Sequence, residues 1–231
     1  LKKVEHNHPM LSLDKTKSMA EVYSFLGTQP YLSMCKMDGL TCSLRYNNGK
    51  LVSAETRGDG YIGEDIYHNV LTIHNVPKRI DYMDELVVDG EVICTYDDFE
   101  QFKNEYQNPR NFASGSIRLL DSSECAKRNL TFVAWDVIKG LESNSLHEKR
   151  SELYQLNFTI VPHLCGDNWD AKEFLVNKAK ELGYPIDGLV FKFDDIAYGE
   201  SLGATGHHKK NAIAFKFEDE TYASRLKKIE W

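Results

Sequence analysis

Residues 17 to 27, KSMAEVYSFLG, space their apolar positions as one face of a helix, and the final Gly27 suits a left-handed C-cap. A short amphipathic helix is therefore predicted there. Two alternating runs follow, TCSLRY and KLVSAET, on either side of Asn47-Asn48-Gly49. Alternation around Asn-Gly predicts a β-hairpin with a tight turn. Further along, ELVVDGEVICT (85–95) reads as strand, YDDFEQFKNEY (96–106) as helix and LTFVAWDVI (130–138) as strand. Helices at LHEKRSELYQL (146–156) and DAKEFLVNKAKELG (170–183) lead to two last strands, DGLVFKF (187–193) and NAIAFKF (211–217). The order is irregular and contains a hairpin, which predicts an α+β domain rather than a doubly wound parallel sheet. No internal repeat or low-complexity linker interrupts the 231 residues.

Three apolar stretches are broken by a lysine. LVFKF places Lys192, IAFKF places Lys216, and MCKMDG places Lys36 two residues before Asp38. An unpaired ammonium in a half-buried strand is costly or loses its proton. A single such lysine snorkels from a sheet edge or pairs with a nearby acid. Three together are explained most simply by a polyanionic ligand between them, with phosphate the natural candidate. The acids fit the same idea, because Glu91 follows Gly90 inside an apolar strand and Asp187 opens the strand that carries Lys192. Such a carboxylate either pairs with a buried cation or accepts ribose hydroxyls and holds a divalent metal, and the pattern leaves both readings open. In NPRNFASGSIRLLD (108–121), Arg110 and Arg118 stand among small residues, where a guanidinium can grip phosphate with two hydrogen bonds. The glycines of TRGDG allow a tight bend that would bring Arg57 to a ligand.

Charge and composition narrow the choices. A formal net charge of −7 argues against holding nucleic acid by bulk electrostatics. HHKK (207–210) and RLKK (225–228) are local basic patches that read equally well as solvated surface. No run of eighteen apolar residues and no leader-like segment occurs, so a cytoplasmic protein without a membrane span is expected. The five cysteines are odd in number, far apart and free of C-x-x-C, which predicts small core hydrophobes rather than disulfides or a zinc cluster. The eight histidines show no metal spacing, and no phosphate loop, dinucleotide fingerprint, zincin or nucleophile-elbow motif is present. The RGD tripeptide reads as accidental.

Taken in order, CKMDG, TRGDGYIGED, VDGEV, NPRNFASGSIRLLD, IDGLVFK and AIAFKF resemble the nucleotidyltransferase (adenylation) domain of NAD-dependent DNA ligases. HPMLSLD (8–14) is similar to the start of that domain, so the likeness runs from about His8 to Glu218. K-x-D-G is shared with ATP-dependent ligases and capping enzymes, whereas TRGDG with G-x-x-G-E-D and the NPRN block resemble the NAD-dependent branch. The resemblance implies an α+β nucleotidyltransferase fold over residues 1–218, with mainly antiparallel sheets flanked by helices and the nucleotide pocket between them. Residues 219–231 would be a linker toward an oligonucleotide-binding barrel.

The same resemblance implies a chemistry. Lys36 would attack the α-phosphorus of NAD, release nicotinamide mononucleotide and retain adenylate on its side chain. Lys192 and Lys216, or Mg2+, would lower its pKa and neutralise the α-phosphate, with Asp38 orienting it or holding the metal and Asp187 an essential acid. Mg2+ would lie near Asp38, Glu91 or Asp187. Arg57 and Glu91 would meet the ribose or neighbouring phosphate, and Ser12 and Leu13 the nucleotide pocket. Trp135 would stack on adenine, or else serve as a core tryptophan. The adenylate would pass to the 5′-phosphate of nicked double-stranded DNA, gripped by Arg110 and Arg118, before the 3′-hydroxyl displaces AMP.

Two departures qualify this reading. Met34 stands where the family usually has a glutamate that contacts adenine, and a thioether cannot accept from the amino group as a carboxylate does. Only about seven residues precede HPMLSLD, where the family carries a nicotinamide-recognition segment, and the barrel, zinc and helix-hairpin-helix modules are missing. An excised domain or one subunit of a split ligase is therefore expected. The alternatives are an adenylate- or NAD-binding module that needs a partner chain for chemistry, and an ATP-dependent polynucleotide ligase or capping-type enzyme.

Overall fold

The computed structural model describes residues 1–166 and 170–218, so the expected linker (219–231) and its RLKK patch lie outside the described residues. Strands β1 (Lys3–Glu5) and β2 (Ser12–Thr16) precede helix α1 (Met19–Leu26). Then come β3 (Tyr31–Met37), β4 (Leu40–Asn47), β5 (Lys50–Thr56), β6 (Ile62–Glu64), the short helix α2 (Tyr67–Val70) and β7 (Leu86–Ile93). The rest comprises α3 (Tyr96–Phe99), α4 (Pro109–Ser116), α5 (Ser122–Ala126), β8 (Thr131–Lys139), α6 (Leu146–Gln155), β9 (His163–Cys165), α7 (Ala171–Leu182), β10 (Ile186–Phe193), α8 (Ile196–Ser201) and β11 (His208–Lys216).

Local chemistry sets these boundaries. Ser18 caps α1 by accepting from the Glu21 N–H, and Gly27 ends it at φ 58°. Asn48 and Gly49 take φ 50° and 72°, the two left-handed positions that a type I′ turn demands between β4 and β5. The helix predicted over 96–106 is instead one α-helical turn followed by a 3-10 turn at Glu100–Phe102. Phe99, Phe102 and Tyr106 all meet the ring of Phe112; the first two stand three residues apart, the spacing a 3-10 turn aligns, and Tyr106 follows four residues on with its N–H bonded to the Phe102 carbonyl. The segment 108–121 contains a helix that the small residues concealed. Asn108 caps it by accepting from Asn111 N at 2.8 Å, and Pro109 occupies its first turn. The last strand begins at His208, three residues before the predicted start, so most of the HHKK patch lies on a strand, with His207 and Lys210 exposed.

Two main sheets result, one of order β5-β4-β7-β8 and one of order β2-β11-β10-β3-β9, with β1-β6 a small third. All pairings between named strands are antiparallel except β11 with β2, which bears out the α+β expectation. One core packs helices α2, α4 and α5 on the four-stranded sheet, through residues such as Leu44, Ile66, Val88, Phe112 and Phe132. The other gathers Leu32, Leu189 and Phe191 of the five-stranded sheet with Val22 of α1 and Leu175 of α7. Ile93 of β7 and Val133 of β8 reach into this second core, while their neighbours Val92 and Phe132 belong to the first. Alternation along a strand produces that division, and it leaves β7 buried along its whole length. Four cysteines are buried as expected, but Cys165 is exposed because β9 is an edge strand. Among the described residues no helix is long and apolar enough to cross a membrane.

Candidate active site

Residues of both large sheets line a cleft of about 330 Å³. All twelve candidate residues named from the sequence contribute to its walls. Lys36 sits near the end of β3, directly opposite Gly188 of β10, and Gly188 is also opposite Lys216 of β11. Because β10 lies between the two lysine strands, the side chain of Asp187 can serve both. Lys36 Nζ lies 3.1 Å from Asp187 Oδ1, and Lys216 Nζ lies 2.7 Å from Oδ2. Gly188 makes the approach feasible, since a Cβ there would stand 2.2 Å from the Phe215 carbonyl oxygen. Burial alone would raise the Asp187 carboxyl, but Lys216 and Lys36 together hold it below the usual carboxylate range.

Lys192 does not join this group. Its ammonium, on the same strand, reaches Asp136 of β8 at 2.6 Å, and both side chains are largely buried. Burial works to raise Asp136, and Lys192 outweighs it, so this carboxyl too lies below its usual range. The three lysines are thus divided between two carboxylates at two points in the cleft. Lys15 of β2, which the sequence pattern did not single out, adds another cation. Burial and the charges of Lys216 and Lys36 hold it below the usual lysine range.

The remaining acids occupy distinct settings. Asp38 pairs with Arg110 at 3.6 Å, while the carboxylate bonded to Lys36 is that of Asp187. Burial and then the negative charge of Asp187 raise Asp38 above its ordinary value. Glu91 of β7 accepts from Thr41 Oγ1 at 3.2 Å and from the Trp135 side chain. Burial pushes it up to about 7, against the charge of Lys36. The Trp135 indole thus lines the cleft while also packing, partly buried, against the second core.

Arg57 is held from behind. His6 Nε2 donates to its carbonyl at 2.8 Å, while Asp59 Oδ1 accepts from Tyr61 N and Ile62 N at 2.9 and 2.8 Å to close the glycine turn. Arg118 is tied to Glu64 at 2.6 Å and to Ser114, and Arg110 stays largely exposed at the cleft mouth. Ser12 Oγ donates to the His207 carbonyl at 3.0 Å, and Leu13 pairs with Lys209 between β2 and β11. Met34 is buried against Arg150 of α6, whose Nη2 lies 2.9 Å from Sδ and also donates to the Trp135 carbonyl. Nε and Nη1 of this arginine are buried without a partner, and burial pulls the guanidinium down to about 10. The sequence pattern signalled neither Asp136 nor Arg150. Asp136 had a cue, an acid inside the apolar run FVAWDVI.

The arrangement offers clustered cations for phosphate, an indole and a thioether for a planar apolar group, and carboxylates for hydroxyls or a metal. Comparison with known proteins agrees with that inventory. The chain is 40% identical over 244 residues to a DNA ligase of Lachnoclostridium phytofermentans, covering all of this chain and 37% of that protein. It is 39% identical over 249 residues to a DNA ligase of Ruminiclostridium cellulolyticum, with the same coverage. It therefore spans well under half the length of these relatives. Among solved structures it is similar in fold to a mycobacterial DNA ligase D complexed with ATP and MES, with a TM-score of 0.51 and 16% identity, covering 90% of this chain and 60% of the other. The model of the NAD-dependent DNA ligase adenylation domain matches residues 1–220, and the chain belongs to that family.

Proposed function

We propose that the chain catalyses the adenylation step of an NAD-dependent DNA ligase, with Lys36 as the nucleophile. The observation that carries this reading is the pair of lysines on Asp187, which places an amine beside a carboxylate acceptor and next to a second cation within one cleft. The neutral Lys36 amine attacks the α-phosphorus of NAD. A nitrogen–phosphorus bond forms, the bond from that phosphorus to the bridging oxygen breaks, and nicotinamide mononucleotide leaves with the electron pair. Asp187 is within reach of the proton that Lys36 gives up. Lys216 and Lys15 face the charge that grows on the phosphate. Glu91 and Arg57 take the ribose and its phosphate, Trp135 and Met34 the purine, and Ser12 and Leu13 the wall beside it. Lys192, fixed by Asp136, lies at the far end of the same ligand.

Asp38 and Asp187, two carboxylates close enough for the charge of one to raise the other, would hold Mg2+ through their oxygen donors. When bound it supplies further neutralisation of phosphate charge. In the reading proposed, residues 1–218 form the adenylation domain and 219–231 connect it to an oligonucleotide-binding barrel. Nicotinamide recognition and enclosure of nicked DNA belong to other ligase modules or a partner chain. Arg110 and Arg118 meet the DNA at the cleft mouth. Five free thiols suit a cytoplasmic setting.

The test is the intact mass of the chain after incubation with NAD and Mg2+, with ATP and Mg2+, and with neither. One adenylate gained with NAD alone and lost in Lys36→Ala supports the proposal. An adduct with ATP alone would overturn the choice of substrate, and an adduct retained by Lys36→Ala would overturn the nucleophile.

A further inference from the structure

Away from the cleft, residues distant in sequence bring three ligating side chains together. His147 on α6 and His163 and Cys165 on β9 each present a donor atom, all within 4.8 Å of one another. Cys165 Sγ lies 3.1 Å from His147 Nδ1, and the two imidazoles meet edge to face with centroids 5.8 Å apart. A tetrahedral zinc ion with bonds of about 2.0 to 2.3 Å sets its ligands about 3.3 to 3.6 Å apart, between the closest and widest separations found here. We propose that His147, His163 and Cys165 form a binding site for a borderline divalent transition cation, Zn2+ in particular, with a fourth position left to water or an external ligand.

The surroundings suit that use. His163 and Cys165 lie two residues apart on one strand and so project from the same face. His163 Nδ1 donates to the Val161 carbonyl at 3.2 Å, which orients the ring and leaves Nε2 as the basic nitrogen. The start of α6 is anchored just past the end of β10, where the His147 N–H donates to Asp194 Oδ1 at 2.9 Å. Binding replaces the Cys165 sulfur–hydrogen bond by a sulfur–metal bond and releases one proton to solvent, with no change of oxidation state. The ion would clip the edge strand to α6. On the neighbouring strand β3, Met34 stands directly opposite His163, so the clip would brace one wall of the cleft.

Co2+ titration of the reduced full chain tests the site, because cobalt reports both geometry and sulfur ligation. The expected result is one Co2+ per chain, with a near-ultraviolet thiolate-to-metal band and the visible bands of tetrahedral cobalt, displaced by Zn2+. Cys165→Ser should abolish the thiolate band. His147→Ala should weaken binding by at least about 100-fold, the upper end of what loss of even a ligand-orienting partner costs. Both residues are exposed, and matching thermal melts of metal-free variants and wild type would confirm intact folding. A paired His207→Ala and His208→Ala variant should bind as wild type does. Absence of the thiolate band, undiminished binding in Cys165→Ser, or loss confined to the His207 and His208 variant would each overturn the proposal.

Discussion

Asp187 bonds two ammonium groups, and all three side chains are about a quarter exposed, at 23% for Asp187, 23% for Lys36 and 27% for Lys216. Asp187→Asn keeps the shape and removes the charge. A hydrogen bond to a charged group contributes roughly 1.5 to 3 kcal/mol. Partial exposure puts both bonds near the lower end, so the substitution should lower the unfolding free energy by about 3 kcal/mol. Part of that loss is repulsion between two cations that have lost their shared counter-ion. Lys216→Met should therefore destabilise the wild type but restore stability in the Asp187→Asn background, with a coupling of about 1 to 3 kcal/mol. Urea unfolding of the four proteins near neutral pH measures the cycle. The pH dependence has a defined sign. Asp187 titrates below its ordinary 3.8 in the folded chain, so its contribution is fully present above that pH and is lost as pH falls through the lower value. The gap between wild type and Asp187→Asn should be flat above pH 5 and close below pH 3.8. A gap under about 0.5 kcal/mol, or the same cost of Lys216→Met in both backgrounds, would refute the shared-counter-ion account.

Glu91 titrates at about 7 against an ordinary 4.5, so the native state holds the extra proton and stability should fall by roughly 3 kcal/mol as pH rises through that window. Glu91→Gln should remove the slope, which urea unfolding at pH 5 and pH 8 would reveal. Gly188→Ala would push a Cβ to 2.2 Å from the Phe215 carbonyl, force β11 away and cost about 3 kcal/mol or more, seen as a lowered urea midpoint. Lys192→Met leaves Asp136 buried without its cation and should cost about 3 to 5 kcal/mol, whereas adding Asp136→Asn should recover much of the loss in the same assay.

Much of this molecule was legible in its sequence because its anomalies are local. A lysine inside a strand pattern is visible as such, and Lys36, Lys192 and Lys216 all reach the cleft. The hairpin was equally plain, since Asn48 and Gly49 encode their own backbone angles. What the pattern hid were pairings set by the order of strands. That Asp187 would serve Lys36 and Lys216, and Asp136 take Lys192, depends on β10 lying between β3 and β11 and on β8 facing it across the cleft. Helix α4 was missed because Ser, Gly and Asn are weak helix formers, and its stability comes from its cap and from Phe112 in the core. Spacing could not reveal the grouping of His147 with His163 and Cys165, because most of α6 and a loop lie between the first and the edge strand that carries the other two.

The position of β7 has a consequence for how the molecule comes apart. Its eight residues are buried, with Leu86, Val88 and Val92 in one core and Ile93 in the other. The four-stranded sheet cannot come apart without exposing this strand, which lies between β4 and β8, so its amides should exchange with solvent only through global unfolding. A ligand held in the cleft, binding the native state alone, would then slow exchange along the whole of β7 by the full linkage factor, beyond the cleft-lining Asp89 and Glu91.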